Sequence, residues 1–185
     1  MQDMVTARAK RRRSPFGGGM GARGHIHLKV FGPDGVLKDE RQVSNRVVDD
    51  GEEYLIDMWV AHETASGLPT AMSRMKLGTD DGTILPIAAT NQALGAYQSG
   101  SVGSFDPGYP QENGASFIQY RVTWNGPEVW TNIREACITS ATADSSAEDG
   151  TNGNRILARA LFAAINKATA DSIEITWNIE LQSQA

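Results

Sequence analysis

The chain has 185 residues, of which 40% are hydrophobic and 7% aromatic, and its net charge is −5. This length and composition suffice for one ordinary hydrophobic core and exclude a wholly disordered chain. The single cysteine, Cys137, excludes an internal disulfide, and no terminal apolar run has the length of a secretory or membrane-spanning segment. The sequence therefore predicts a soluble protein, made in a reducing cytoplasm, with no membrane partner.

Residues 1–24 form a basic, glycine-rich arm. Six Arg and Lys side chains accompany the single acid Asp3, so the arm carries +5 and the remainder of the chain −10, for a total of −5. The arm is open to three interpretations: a solvated tail, an arm that docks on an acidic neighbouring subunit, or a nucleic-acid contact. We expect residues 1–24 to lie outside a domain formed by residues 25–185. The predicted partner-binding residues of the arm are Arg8, Lys10, Arg11, Arg12, Arg13 and Phe16.

The first strand is predicted at residues 25–31, where Ile26, Leu28 and Val30 alternate with polar side chains. A Gly-Pro-Asp-Gly turn follows and predicts a hairpin with residues 36–43. His25 and His27 have the spacing of metal ligands on a strand, but Lys29 on the same face repels a cation. We therefore expect these histidines to face solvent and expect no metal.

A short helix is predicted at residues 52–61, where the apolar period changes from two to that of a helix. Asp50 and Glu53 stand in the relation of a capping box, and acidic residues favour the first turn of a helix. These carboxylates are predicted to lie at an exposed helix start and to have a structural role.

The middle of the chain contains a short strand at residues 72–77 and a long loop at 84–114, with one helical turn near residues 90–94. Loops of this length are usually functional or held by a neighbour. Asp80 and Asp81 lie between these two segments and could help to bind a cation, but a turn explains them as well and the spacing of a calcium-binding EF-hand is absent.

Further strands are predicted at residues 116–124 and 129–139, and a polar tip at 140–154 leads to a closing pair at 155–162 and 172–181. We expect the closing pair to lie side by side and antiparallel, and Cys137 to be a small buried hydrophobe. The fold class is mainly β: an antiparallel β-sandwich of jelly-roll type with one short helix. The predicted core residues are Trp177, Ile175, Ile179, Trp124, Tyr120 and Phe162.

Motifs of catalysis and cofactor binding do not stand out in the sequence. A nucleophile elbow, a P-loop, a zinc cluster and a His-Glu-x-x-His motif are all missing. The run Gly19–Gly24 matches the dinucleotide-binding pattern, but it follows a basic tail and precedes a strand instead of opening a helix. We therefore expect no enzymatic activity and no cofactor.

Five segments stand out in order along the chain: residues 45–51 (NRVVDDG), 76–79 with 88–95 (KLGT and AATNQALG), 133–136 (IREA), 157–162 (LARALF) and 171–179. In this order, and over about residues 26–181, the chain resembles a family of tailed-bacteriophage virion structural proteins. The resemblance implies a non-enzymatic part of the virus particle, of the kinds described as tail, collar or head-decoration components. The chain departs from this family in its basic arm and at residues 78–82, where members often have a Gly-Thr-Gly-Thr-Thr turn.

The basic arm indicates where in the virus particle such a protein would lie. A flexible arm that becomes ordered across a neighbouring subunit adds reach and contact area, which suits a protein that bridges shell subunits. The resemblance and the arm together predict a capsid decoration, or cement, protein in the virion, synthesised in the bacterial host cytoplasm. Its expected partners are the major capsid protein or other virion subunits and copies of itself, as a trimer or ring. A neck, collar or tail component is the first alternative, and a nucleic-acid-binding protein acting through the arm is the second.

Overall fold

The computed structural model describes residues 20–61, 69–86, 93–114, 116–144 and 155–183. Over these residues the chain is mainly β, with two antiparallel sheets and a single short helix, as the sequence predicts. The elements are β1 (Met20–Phe31), β2 (Leu37–Val47), α1 (Asp49–Ala61), β3 (Arg74–Gly78), β4 (Gly103–Ser104), β5 (Gln111–Glu112), β6 (Phe117–Trp124), β7 (Trp130–Thr139), β8 (Ile156–Lys167) and β9 (Ser172–Ser183).

The strands are hydrogen-bonded in the order β4-β3-β7-β8-β2-β1-β9-β6-β5, and every pair is antiparallel. Strands β2 and β8 are in register only at Arg46 with Arg159 and at Val47 with Ala158. The ladder therefore divides at this short contact. One sheet contains β4, β3, β7 and β8, and the other contains β2, β1, β9, β6 and β5.

Both sheets contribute to one hydrophobic core. Strand β9 alternates buried and partly exposed side chains along its length, and its Trp177 has no exposed surface. This burial pattern is what an apolar alternation of period two produces when one face of a strand meets a second layer. All six predicted core residues lie in this hydrophobic core, so that prediction is confirmed: Trp177, Ile175, Ile179, Trp124, Tyr120 and Phe162.

The predicted first hairpin is confirmed, because β1 pairs with β2 across the turn at residues 32–36. Gly35 has a φ of 75° in this turn, a conformation that glycine adopts without steric cost. The first strand begins at Met20 rather than at His25, and residues 20–24 pair with β9. The two glycines among them, Gly21 and Gly24, hide the alternation that would reveal a strand in the sequence.

The predicted pairing of the last two strands is wrong. Strand β8 pairs with β7 and β2, whereas β9 pairs with β1 and β6. Residues 168–171 therefore carry the chain from one sheet to the other. The sequence could not distinguish the two arrangements. Both strands have large apolar side chains that must face a second layer, and strands that pair side by side or lie on opposite sides of the core meet this requirement equally well.

The helix also differs from its prediction. It begins at Asp49, and Asp50 is 6% exposed, with its carboxylate accepting a hydrogen bond from the Ile156 amide at 2.9 Å. Asp50 therefore connects α1 to β8 and is not an exposed cap. Tyr54 packs in the core and its hydroxyl accepts a hydrogen bond from the Met72 amide at 3.4 Å. In the part of the chain that the structure describes, no helix has the length and apolarity needed to span a membrane.

Replacement of Trp177 by Ala is expected to lower the free energy of unfolding by about 3–5 kcal/mol, because it leaves a large cavity between the sheets. Chemical denaturation followed by circular dichroism measures this loss. Ile56→Ala is the control, since Ile56 is 54% exposed on α1 and its truncation should change the stability by about 0.5 kcal/mol or less. Equal losses for the two variants would contradict the assignment of Trp177 to the core.

Candidate functional site

The residues predicted to bind a partner lie outside the described part of the chain. Arg8, Lys10, Arg11, Arg12, Arg13 and Phe16 all precede Met20, the first residue that the structure describes. Their role stays a prediction. The structure does locate the point of attachment, because Met20 starts β1 and is paired with Ser183 at the end of β9.

A group of three charged side chains is buried between β7, β8 and the loop after β3. Arg159 on β8 is 1% exposed, Glu135 on β7 has no exposed surface, and Asp80 is 2% exposed. The Arg159 guanidinium forms ion pairs with both carboxylates, and its distance to the Asp80 Oδ2 atom is 3.3 Å. We call Asp80, Glu135 and Arg159 the buried charge cluster.

Each carboxylate of the buried charge cluster also binds backbone amides. The Glu135 carboxylate accepts hydrogen bonds from the Gly95 amide at 2.9 Å and the Ala96 amide at 3.4 Å. Asp80 accepts from three amides between residues 82 and 85, at 2.9–3.1 Å. The cluster therefore anchors the long loop on both sides of residues 87–92, which lie outside the described part of the chain.

The two carboxylates respond differently to the same surroundings. Burial raises the pKa of the Glu135 carboxyl above its ordinary value, against the opposing hydrogen bonds. Burial is also the largest single influence on Asp80, but the three amide hydrogen bonds and the charge of Arg159 outweigh it and hold its pKa below the ordinary value. Of the two acids, Asp80 is therefore the one whose ionised form these contacts favour.

The aspartates considered as metal ligands have other partners. The Asp80 carboxylate is occupied by amides and Arg159, and Asp81 forms an ion pair with Arg134 at 2.9 Å. On the outer face of β1, His27 contacts Glu40, and His25 and His27 border a shallow depression of about 330 Å³. The residues that the structure describes contain no group of three or more His, Cys, Asp or Glu side chains arranged to hold a metal ion.

Cys137 is fully buried beside Val48 and Ile156, as predicted.

Part of the long loop runs along the outer strands of the sandwich. We call residues 93–112 the strap. On the β3 side, the Gln98 amide donates to the Leu77 carbonyl at 2.9 Å and the Thr79 amide to the Ala96 carbonyl at 2.8 Å. Strand β4, within the strap, then pairs with β3.

The strap next crosses to the other sheet. The Trp124 indole donates to the Ser101 carbonyl at 2.9 Å, and the Asp106 amide donates to the Arg121 carbonyl at 2.9 Å. The Asp106 carboxylate accepts from the Arg121 guanidinium at 2.8 Å, and β5 pairs with β6. The outermost strands, β4 and β5, are two residues long each. The strap therefore covers the outer edge of each sheet, at β3 and at β6.

Three turns meet at the end of the sandwich opposite Met20. We call residues 32–38, 125–129 and 168–171 the turn end. Lys38 binds the Asp171 carboxylate at 2.9 Å, which joins the first turn to the last. The ammonium group of Lys167, which is 1% exposed, donates to the carbonyls of Gly126 at 2.6 Å and Glu128 at 2.9 Å. These contacts hold the three turns in one arrangement.

Sequence reasoning missed the buried charge cluster. Alternation puts Arg159 on the face of its strand opposite Ala158 and Ala160, but it does not show that both faces are covered. The sequence did contain a signal. Arg159 interrupts an apolar run in a strand and Glu135 directly precedes one, and a buried acid and a buried base each require a partner of opposite charge.

Comparisons of this chain with protein-family models, with curated proteins and with solved structures found no match.

Replacement of Arg159 by Met is expected to lower the free energy of unfolding by about 3–5 kcal/mol, because it leaves two buried carboxylates without their cation. Thermal and chemical denaturation measure the loss. Arg134→Met is the matched control, since Arg134 pairs with the exposed Asp81 and its removal should have little effect. A stability of Arg159→Met close to that of the unchanged protein would show that the buried charge cluster is not needed for folding.

The Lys38–Asp171 pair gives the turn end a defined pH dependence. The Lys38 hydrogen bond is the largest cause that holds the pKa of Asp171 below its ordinary value of 3.8. A carboxyl with a lowered folded-state pKa stabilises the fold fully above its unfolded pKa, and this stabilisation is lost as the pH falls through the folded value. The stability difference between the unchanged protein and Asp171→Asn should therefore be constant above about pH 5 and shrink below about pH 4. In a Lys38→Met background most of this pH dependence should disappear, and its persistence there would contradict the assignment.

Proposed function

We propose that this chain is a non-enzymatic structural protein of a tailed-bacteriophage virion, and that it acts as a capsid decoration (cement) protein which bridges neighbouring subunits through its N-terminal arm. Its partners in this proposal are the major capsid protein or other virion subunits and further copies of itself. A neck, collar or tail component is the alternative within the same class. The observation that carries the proposal is the sandwich whose outer edges, at β3 and β6, are covered by the strap, with a basic segment attached at one end.

Four of the five segments that carry the family resemblance support the proposal because they meet in space. Glu135 of the Ile-Arg-Glu-Ala segment binds Arg159 of the Leu-Ala-Arg segment and the amide of Gly95 from the Ala-Leu-Gly segment. Asp50 of the first segment binds the amide of Ile156, directly before the Leu-Ala-Arg segment. These four segments therefore form one contiguous structural unit.

The covered edges favour cement over a ring-forming tail part. A ring assembled by strand addition needs a long free edge strand, whose unpaired amides and carbonyls receive the next copy. The outermost strands described here have two residues each and are continuous with the strap. Strand addition at these two edges is therefore blocked, which favours assembly through other surfaces of the body and through the arm.

The winding of the chain supports the jelly-roll type within this proposal. Strands from opposite ends of the sequence pair in a nested series, β1 with β9, β2 with β8 and β3 with β7. Such a series is the result of folding one long antiparallel ribbon over on itself. The β1–β2 and β7–β8 pairs add contacts between consecutive strands to this winding.

Carboxylates that could serve in catalysis are held by structural contacts. Asp80 and Glu135 bind amides and Arg159, and Asp50 connects α1 to β8. General acid–base catalysis needs a carboxyl group that can reach a substrate proton. This use of the buried acids supports the proposal of a non-enzymatic role.

The alternative of a different class is a nucleic-acid-binding protein that works through the arm. The specific observation in its favour is the run Lys10–Arg13, four consecutive basic residues. Counterion release by such a run would give DNA binding that weakens steeply with salt. Cement activity requires binding to protein shells instead.

Deletion of residues 1–16 is expected to leave a folded body, because β1 begins only at Met20. The truncated protein should bind particles that lack this protein about tenfold or more weakly than the full chain, since several exposed charges contribute about 0–1 kcal/mol each. Co-sedimentation with purified particles measures this binding.

A full-length variant with Arg8, Lys10, Arg11, Arg12 and Arg13 all changed to Gln separates the charge of the arm from its length. Free DNA in the same assay identifies the nucleic-acid alternative, which predicts DNA binding that is lost on truncation. If the truncated protein loads on particles as tightly as the full chain, the arm has no part in decoration and the proposed bridging role is wrong.

A further inference from the structure

Three aliphatic side chains of the turn end, which we call the apolar patch, are exposed to solvent. Val36 is 59% exposed, Leu37 44% and Val129 60%, and they lie on two of the three turns that the lysine contacts hold together. Aliphatic side chains exposed on a preformed surface are candidates for contact with a partner. Because the turns are already held by Lys38 and Lys167, a partner binding here would not have to order them.

We propose that the turn end is the docking surface for the basic arm of a second copy of this chain. The inference deepens the proposed function and rests on it, since it names the partner that the arm bridges to. Copies then assemble head to tail, with the arm of each copy on the turn end of the next.

The geometry of β1 separates the two parts of this contact. The strand runs from Met20, where the arm joins, to Phe31, immediately before the first turn. Twelve residues of strand place these ends about 36 Å apart. Met20, where the arm joins, therefore lies at the end of β1 away from the turn end of its own copy. The nineteen residues before Met20 span at most about 65 Å when extended, enough to reach an adjacent copy.

The chemistry of the two surfaces is complementary. Asp34 and Glu128 are exposed beside the apolar patch, whereas the cation of the first turn, Lys38, is already paired with Asp171. The arm has the opposite character, with basic side chains between apolar ones. Its basic residues can pair with the two acids while its apolar residues cover the patch: Met4, Val5 and Phe16 with Arg8, Lys10, Arg11, Arg12 and Arg13.

A contact of this kind uses two different surfaces of the same chain and is therefore heterologous. Heterologous contacts repeat from copy to copy and form a ring when the rotation closes, or an open array when it does not. Assembly by linked arms also tolerates variation in spacing, because the arm adjusts its path more readily than a rigid interface. A decoration protein that follows the spacing of a shell would use this tolerance.

Charge exchange in the full chain tests the contact. The double variant Asp34→Lys with Glu128→Lys should raise the apparent dissociation constant for self-association about tenfold or more, because the basic arm is then repelled. Sedimentation velocity over a range of protein concentrations measures this dissociation constant. Glu52→Lys with Glu53→Lys is the matched control, since it makes the same change of charge with exposed side chains on α1, at the other end. Because Asp34 also accepts the Val36 amide, Val129→Lys is a second variant that leaves the turn hydrogen bonds in place.

A complementary exchange should restore binding. A variant with Arg11, Arg12 and Arg13 changed to Glu should not self-associate, but it should associate with the Asp34→Lys, Glu128→Lys variant, in which acids and bases have exchanged places. Equal loss of self-association in the α1 control would assign the effect to net charge and overturn the proposal, as would failure of the two exchanged variants to associate.

Cross-linking identifies which copy supplies the arm. Cys137 is fully buried, so a thiol placed at Ser14 in one copy and at Val129 in another can be joined selectively by a bis-maleimide. We expect a covalent dimer of the two variants at a concentration where the chains self-associate. Efficient closure within a single chain that carries both thiols, with no dimer, would place the arm on its own copy and overturn the proposal.

The assays distinguish this inference from the proposed function. Particle binding that requires the arm, together with no cross-link between copies, would retain a decoration role and move the arm to a shell protein. Cross-linking between copies without any particle binding would retain the head-to-tail contact and remove the virion role.

Discussion

A guanidinium group enclosed between two carboxylates is the constraint on which this fold depends. Arg159 lies between Glu135 and Asp80, and all three are removed from water. Desolvation of charges costs more than ion pairing alone returns, unless hydrogen bonds satisfy the remaining atoms. Here backbone amides from two loop segments supply those bonds. The buried charge cluster therefore holds β7 against β8 and, in the same contact, orders the loop that becomes the strap.

The strap extends this constraint to the edges of the sandwich. Once Glu135 has bound the amides of Gly95 and Ala96, the chain is positioned to run along β3 and then across to β6. There it pairs with backbone groups that would otherwise form open edges. The outer edges at β3 and β6 are thereby closed to strand addition. This restriction is the physical basis for proposing assembly by an arm over assembly by strand addition.

The two ends of the molecule also differ from each other. Met20, Ser183 and the helix lie toward one end, and the three turns lie toward the other. The ends differ in chemistry as well, because one carries a basic segment and the other exposes aliphatic and acidic side chains. A building block with two unlike ends has a built-in direction, which suits a protein proposed to connect neighbouring sites on a particle.

The sequence by itself determined most of the strands, the first hairpin, the presence of a short helix and the six core residues. These features follow from the alternation of side chains and from turn residues, which are local properties of the chain. Tertiary structure alone decided that β8 and β9 belong to different sheets, that Asp50 and Arg159 are buried, and that the strap covers the outer edges at β3 and β6. Each of these depends on groups far apart in the sequence, and a local pattern carries no information about the partner that will satisfy a buried charge or an unpaired strand.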